Sequence, residues 1–413
     1  MSNNENSSTK PFLEVLSPAG DLIRLRAAVN FGADAVYLAG EEFGMRTAAT
    51  NFGESDMRSG VEYAHSNGVK VFVTCNTLPH NEEIPRLPAF LEMLADIGVD
   101  GIIASDLGTI GLVKKYCPKQ VLHVSVQSGI VNYETALAYY NMGAKRIVTA
   151  RELSLDEIAE IRAKTPKELD IEAFAHGAMC VSFSARCLLS SYMTGRDANR
   201  GDCAQSCRWS YSLMEQTRPG RYYDITETDK GTYILNADDL CMAEHIADMA
   251  AAGIKSLKIE GRAKSHYYTA VTANAYRGAV DAYLSNPTAS VPKWVTEELN
   301  KISHRPYSTG FYYGRPDNSQ TYLNAGYMRD YSVAGIVTGY EDGMILLELK
   351  NKFLKGQELD CLEPRSMPFT LVADEMYDGD GNPIDSAPHP MMTVKIPFER
   401  PLKVGALLRM KTE

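Results

Sequence analysis

Eight times between residues 13 and 260 a short run of β-branched or apolar residues gives way to a longer amphipathic stretch. No other feature restricts what this chain can fold into as strongly. The runs fall at 13–16, 35–39, 70–75, 101–104, 121–126, 146–150, 169–175 and 256–260. Strands that alternate with helices pair in parallel, because a parallel neighbour is reached only through a crossover. Eight such units predict an α/β fold, a closed (β/α)8 TIM-like barrel over residues 11–285. A doubly wound sheet is the alternative, but no glycine-rich phosphate loop follows the first run. Residues 1–10 are polar and read as a disordered tail without the apolar stretch of a secretory signal. After a linker and irregular segment at 286–330, the pattern changes to short strands with turn signals such as Glu341-Asp-Gly. Residues 331–413 are therefore expected to form a small antiparallel, barrel-like β-domain.

Barrels of this kind place their chemistry at the C-terminal ends of the strands. Those ends carry Gln127, Arg151, His176, Glu260 and Arg262, which suit helix caps poorly and are taken as functional. One connection is far longer than the others, an insertion at 177–239 after the seventh strand. Long connections inside compact domains usually serve function.

This insertion and the residues just after it hold five of the eight cysteines, at positions 180, 187, 203, 207 and 241. The chain has no apolar run long enough for a membrane span and no sign of export, so a cytoplasmic, reducing location without membrane contact is expected. Clustered thiols then read as metal ligands or redox groups, whereas the isolated Cys75, Cys117 and Cys361 read as small core residues. The spacing is not the Cys-x2-Cys of a zinc ribbon. An iron–sulfur cluster accepts such dispersed ligands, so a cluster, zinc and free thiols all remain open on spacing alone.

The stretch Glu172-x-Phe174-x-x-Gly177-Ala178-Met179-Cys180, followed by Cys187-x-Leu189-Ser190, resembles the signature of the collagenase-like peptidases, family thirty-two of the peptidases of unknown mechanism. Ala185 stands where that signature has Gly. The resemblance extends to Leu16-Ser-Pro-Ala-Gly-Asp, to Leu257-Lys-Ile-Glu-Gly-Arg-Ala-Lys-Ser and to the C-terminal β-domain. It is nearest to the branch that hydroxylates tRNA uridine at carbon 5, independently of oxygen and dependent on prephenate. The resemblance implies a [4Fe–4S] cluster held by Cys180, Cys187, Cys203 and Cys241, with Cys207 as the substitute for Cys203 and zinc as the alternative metal. It also implies tRNA as substrate and prephenate, a small dicarboxylate, as co-substrate, with a paralogous subunit as a further candidate partner.

Roles for the remaining residues follow from chemistry. Arg151, Arg186 and Arg262 are candidates for binding carboxylate, since guanidinium matches it in two-point fashion. Gln127 is a candidate for substrate binding, and His176 and Glu260 for proton transfer. Tyr192 and Trp209 suit base stacking, but core packing is the expected use. The net charge of −10 argues against binding RNA through bulk charge. A basic rim from Lys258, Arg262, Lys264, Arg196, Arg200 and Arg208 is expected to compensate. Two other functions are carried forward: a peptidase, and a cluster-bearing non-catalytic subunit of a modification complex. The peptidase reading has neither Gly-x-Ser-x-Gly nor His-Glu-x-x-His, and would have to use Cys180 with His176.

Overall fold

A computed structural model describes residues 12–45, 51–180, 182–209, 227–228, 231–232, 238–314 and 328–412. The first seven units run β1 (Glu14–Pro18), α1 (Leu22–Phe31), β2 (Ala35–Leu38), α2 (Glu54–Ser66), β3 (Lys70–Cys75), α3 (Leu87–Ile97), β4 (Gly101–Ala104), α4 (Leu107–Tyr116), β5 (Val121–Val124), α5 (Tyr133–Asn141), β6 (Arg146–Val148), α6 (Leu155–Ala163) and β7 (Asp170–Ala178). Helix starts are set locally. Asp21, Asp106 and Asn132 each accept a first-turn N–H, and Ser154 forms a reciprocal capping box with Glu157. The long connection after β7 holds α7 (Leu189–Thr194), a short pair β8 (Glu227–Thr228) and β9 (Gly231–Thr232), and β10 (Asp239–Cys241). Then come α8 (Ile246–Ala251), β11 (Ser256–Ile259), α9 (His266–Ser285), α10 (Lys293–Leu299) and β12 (Tyr307–Ser308).

Every neighbouring pair from β1 to β7 is parallel, and β11 pairs in parallel with both β7 and β1. The sheet therefore closes on eight strands, as the repeated pattern predicts. β7 outruns the barrel. Its last residues pair antiparallel with β10, Cys241 opposite His176, and β10 in turn carries β12. The segment expected to be linker thus adds a strand beside the barrel mouth. Residues 315–327 of that segment, like residues 1–11, lie outside the described residues.

The C-terminal residues form β13 (Tyr331–Glu341), β14 (Met344–Leu349), β15 (Phe353–Leu354), β16 (Glu358–Leu362), β17 (Phe369–Val372), β18 (Tyr377–Asp378), β19 (Ser386–Ala387), β20 (Thr393–Pro397) and β21 (Leu407–Lys411). Seven of them make one sheet in the order β17-β16-β21-β13-β14-β20-β18. Arg409 of β21 is fully buried and donates to both oxygens of Glu298 in α10 (2.6 and 3.1 Å) and to Asp360 of β16 (2.8 Å), tying the sheet to the barrel's helices. Among the described residues no helix is long and apolar enough to cross a membrane.

The barrel interior is charged at its centre. Arg146 on β6 reaches Glu14 on β1 (2.6 and 3.2 Å) and Glu172 on β7 (3.3 Å), while Lys258 on β11 reaches Glu172 (2.7 Å). Strands β1 and β6 are not neighbours, so the Arg146–Glu14 pair crosses the lumen. His123 on β5 is buried near Arg146 and Lys258, and burial, with those cations, holds its pKa well below the usual 6.5. The unfolded chain takes up a proton near pH 6.5 that the folded one refuses, so stability is full above that pH and falls as pH drops below it. Between pH 7.5 and 5.5 this group is expected to cost about 1.4 kcal/mol. Urea denaturation at the two pH values, compared with His123→Phe, measures it. An equal pH dependence in the variant would refute this assignment.

Candidate active site

The C-terminal ends of the strands and the start of the long connection line a cavity that opens to solvent. Strand ends supply Tyr37, Thr74, Phe174, Lys258, Glu260 and Arg262. Gln127 and Arg151 enter from the segments after β5 and β6, and the long connection adds Cys180, Cys187, Cys203 and Cys207.

Two motif glycines explain how separate strands meet here. A Cβ on Gly20, in the Leu16-Ser-Pro-Ala-Gly-Asp segment, would lie 2.3 Å from the backbone oxygen of Arg262. Gly177 has φ 104°, and a Cβ there would lie 2.4 Å from the backbone oxygen of Glu260. Both glycines let the β11 terminus, which carries Glu260 and Arg262, pack against its neighbours.

The guanidinium of Arg151 lies 3.7 Å from the Phe174 ring centroid, donates to the Ala178 carbonyl (2.9 Å) and sits 3.8 Å from the Glu260 carboxylate. Arg262 is buried and donates to Thr74 Oγ1 (3.2 Å) and to the Met45 carbonyl. Arg186 is exposed and is not on the cavity wall. Its Nε donates to the Gln127 carbonyl (2.5 Å), so it braces the wall from outside. Gln127 itself lines the cavity and is 1% exposed.

The cysteine-bearing loop is pinned by residues the sequence patterns do not reveal. Glu152 accepts both the N–H and the hydroxyl of Ser184 (2.7 and 3.1 Å), holding that residue at φ 45°. Asn199 accepts the Cys187 N–H (3.3 Å) and donates to the Cys187 carbonyl (3.0 Å). Ser190 Oγ accepts the Ala204 N–H (3.0 Å). The Gln205 N–H donates to Cys203 Sγ (3.4 Å).

The structure brings Cys180, Cys187 and Cys203 to one cavity, and Cys207 with them, but not Cys241. Cys241 is on β10, where the antiparallel pairing sets it opposite His176 with its thiol against the Tyr276 hydroxyl and the Ala243 N–H. Burial raises its pKa to about 11. Burial likewise raises Cys75, Cys117 and Cys361, the last to about 12, as expected of inert core thiols.

His176 does not reach the cavity either. Strand alternation would aim it inward, as it does Phe174, but the β7–β11 register slips by one residue at Ala175. This bulge reverses the alternation, so that His176 pairs with buried Ile259. Its ring packs among Tyr307, Tyr276 and Tyr268 at centroid distances of 5.3, 5.5 and 5.9 Å. Burial, with the charges of His304 and Lys264, drives its pKa down to about 3.

The expected basic rim is mostly paired. Arg196 meets Asp202 (2.7 Å), Arg200 meets Glu82 and Glu83 (3.0 and 3.1 Å), Lys264 donates to the Ser303 carbonyl (3.2 Å), and Lys258 is held by Glu172. The Arg208 side chain lies outside the described residues. Tyr192 and Trp209 are 83% and 43% exposed, so the expectation that they serve core packing fails. Both lie on the surface of the loop that flanks the cavity.

The sequence model of peptidase family U32 matches residues 20–322, and that of the family's C-terminal domain matches residues 329–409. The chain is 37% identical over 401 residues to tRNA hydroxylation protein P1 of Bacillus subtilis (strain 168), covering 96% of this chain and 94% of that one. It is 35% identical to tRNA hydroxylation protein P of Escherichia coli (strain K12), covering 96% of each. A relative in Methanocaldococcus jannaschii, named as an uncharacterized protease, is 38% identical over 80% of this chain and 81% of its own.

Proposed function

This chain belongs to peptidase family U32, and from that membership we propose that it is an RNA-modifying enzyme that hydroxylates tRNA, acting on uridine at carbon 5 with a [4Fe–4S] cluster and prephenate as co-substrate. The observation that carries the reading is the gathering of several cysteines on the wall of one cavity at the catalytic end of the barrel. The names and near-complete coverage of the bacterial relatives support tRNA as the substrate.

The donor set suits a cluster. A single zinc ion needs four donors about 2.0–2.3 Å from one point. Among the described residues no three His, Cys, Asp or Glu side chains are placed to hold one ion. A cluster spans several ångströms and accepts more dispersed thiolates. Cys180, Cys187 and Cys203 would supply three. The resemblance assigns the fourth to Cys241, which would have to turn from Tyr276, while Cys207 already faces the cavity. When bound, the cluster supplies electron transfer or substrate activation.

The chain's own groups do the rest. Arg151 and Arg262 set two guanidinium groups on the wall, the charge a dicarboxylate such as prephenate requires. Glu260, beside Arg151, is the wall carboxylate positioned to move a proton. Exposed Tyr192 and Trp209 offer stacking faces to unpaired bases. The peptidase reading would need His176 as base to Cys180, but His176 is behind the cavity wall and held neutral down to about pH 3.

Deleting this protein and any paralogue is expected to remove 5-hydroxyuridine-derived nucleosides from bulk tRNA, as read by mass analysis. Unchanged nucleosides reject the function. Activity in the purified chain alone separates an enzyme from a cluster-bearing subunit that needs a paralogous partner.

A further inference from the structure

Gln127 follows β5 in a single 3-10 turn, Val126–Ser128, and faces the cavity. It is 1% exposed, yet among the described residues neither Nε2 nor Oε1 of its amide has a hydrogen-bond partner. The backbone around it is fixed. Its carbonyl accepts from Arg186, and the N–H groups of Ser128 and Gly129 bond to Ser125 and Val126. The segment is therefore held while the amide itself is unsatisfied. Burying a donor and an acceptor without partners costs free energy that a Leu or Met of similar size would not incur. The amide's use lies in what enters the cavity.

The chemistry of a primary amide narrows that occupant. It presents one donor and one acceptor side by side, so its full complement is a group with an acceptor and a donor side by side. A carboxylate has acceptors only. It would satisfy Nε2 and set a negative oxygen against Oε1. The cyclic imide edge of uracil, N3–H beside a ring carbonyl, satisfies both atoms at once. Tyr37 and Phe174 line the same cavity, but their rings carry the Lys258 ammonium at 4.6 Å and the Arg151 guanidinium at 3.7 Å, so the amide rather than ring stacking carries the recognition.

Resting on the tRNA-hydroxylation reading, we infer that Gln127 is the specificity-determining residue for the target base, its amide pairing with N3–H and the adjacent carbonyl of uracil. Held by N3–H and the carbon 2 carbonyl, the ring presents carbon 5 and carbon 6 on its opposite side, clear of the amide. The dicarboxylate is left to the arginines.

The test uses the anaerobically purified full chain and two short RNA hairpins, one with a single loop uridine and one with 3-methyluridine at the same place. The methyl group removes the N3 donor and leaves the phosphates unchanged. The unsubstituted protein is expected to bind the uridine hairpin about tenfold or more tightly than its methylated counterpart. Gln127→Leu is expected to bind the two alike. Gln127→Glu, of the same size, keeps an acceptor for N3–H and loses only the donor to the carbonyl, so it is expected to keep a preference for the uridine hairpin while binding it more weakly, and melting temperatures check that both variants keep the fold. Equal binding of both hairpins by the unsubstituted protein, a preference that survives in Gln127→Leu, or its loss in a folded Gln127→Glu overturns the role of Gln127 and leaves the RNA reading standing. Failure to bind either hairpin overturns the RNA reading itself.

Discussion

Serine in place of Cys180, Cys187 or Cys203 is expected to strip iron and acid-labile sulfide from anaerobically purified protein and to abolish tRNA hydroxylation, with the barrel still folded. These three thiols line one cavity and come from a loop pinned by Glu152, Asn199 and Ser190. A [4Fe–4S] cluster uses four thiolates, and a serine hydroxyl is a far weaker ligand at neutral pH. The fold should survive because the loop is anchored through backbone and polar side-chain bonds rather than through the sulfurs. Cys361→Ser is the control. Its thiol is buried in the C-terminal core, pushed up to about 12, and its loss should leave iron unchanged. Of Cys207→Ser and Cys241→Ser, the one that loses iron names the fourth ligand. Iron and sulfide assays with the visible spectrum read the result. Full iron in Cys180→Ser would end the cluster proposal.

The largest effect on stability is expected from Arg146→Met. Arg146 is 6% exposed and is the cation that spans the barrel between Glu14, which is 2% exposed, and Glu172, which is 0% exposed. Methionine fits the space but, among the described residues, leaves Glu14 with only Ser256 as a side-chain partner and Glu172 with only Lys258. Removing one member of a buried ion network strands the opposing charge and costs about 3–5 kcal/mol. Adding Glu14→Gln removes the stranded charge, so the double variant is expected to regain part of the loss. Urea denaturation of the three proteins measures both terms. A loss below about 1 kcal/mol in Arg146→Met would show that the network is solvated and contributes little.

Much of the barrel is legible in the sequence because strand and helix periodicities are local. Each of the eight runs contains the core of an observed strand, and the long connection after the seventh does carry the cavity's thiols. In the C-terminal sheet the same approach marks strands at 333–339, 344–349, 370–373 and 391–396 and misses β16 and β21, two strands in its interior. Glu358 and Asp360 break the apolar pattern of one, and Arg409 that of the other. A buried arginine looks like a surface residue until Glu298 and Asp360, 111 and 49 residues away, are known to meet it.

The sequence by itself determined the barrel, the family and the group of thiols. Which side chains face the cavity was decided by tertiary structure. The slip at Ala175 turned His176 outward among tyrosines, and the antiparallel pairing of β10 set Cys241 behind the wall while Cys207 stayed on it. Tyr192 and Trp209 were left at the surface, and Gln127 was left unsatisfied in the cavity. Periodicity records the neighbours a residue has along its own strand or helix. Facing, pairing and hydrogen-bond satisfaction depend on partners that only the closed barrel brings near.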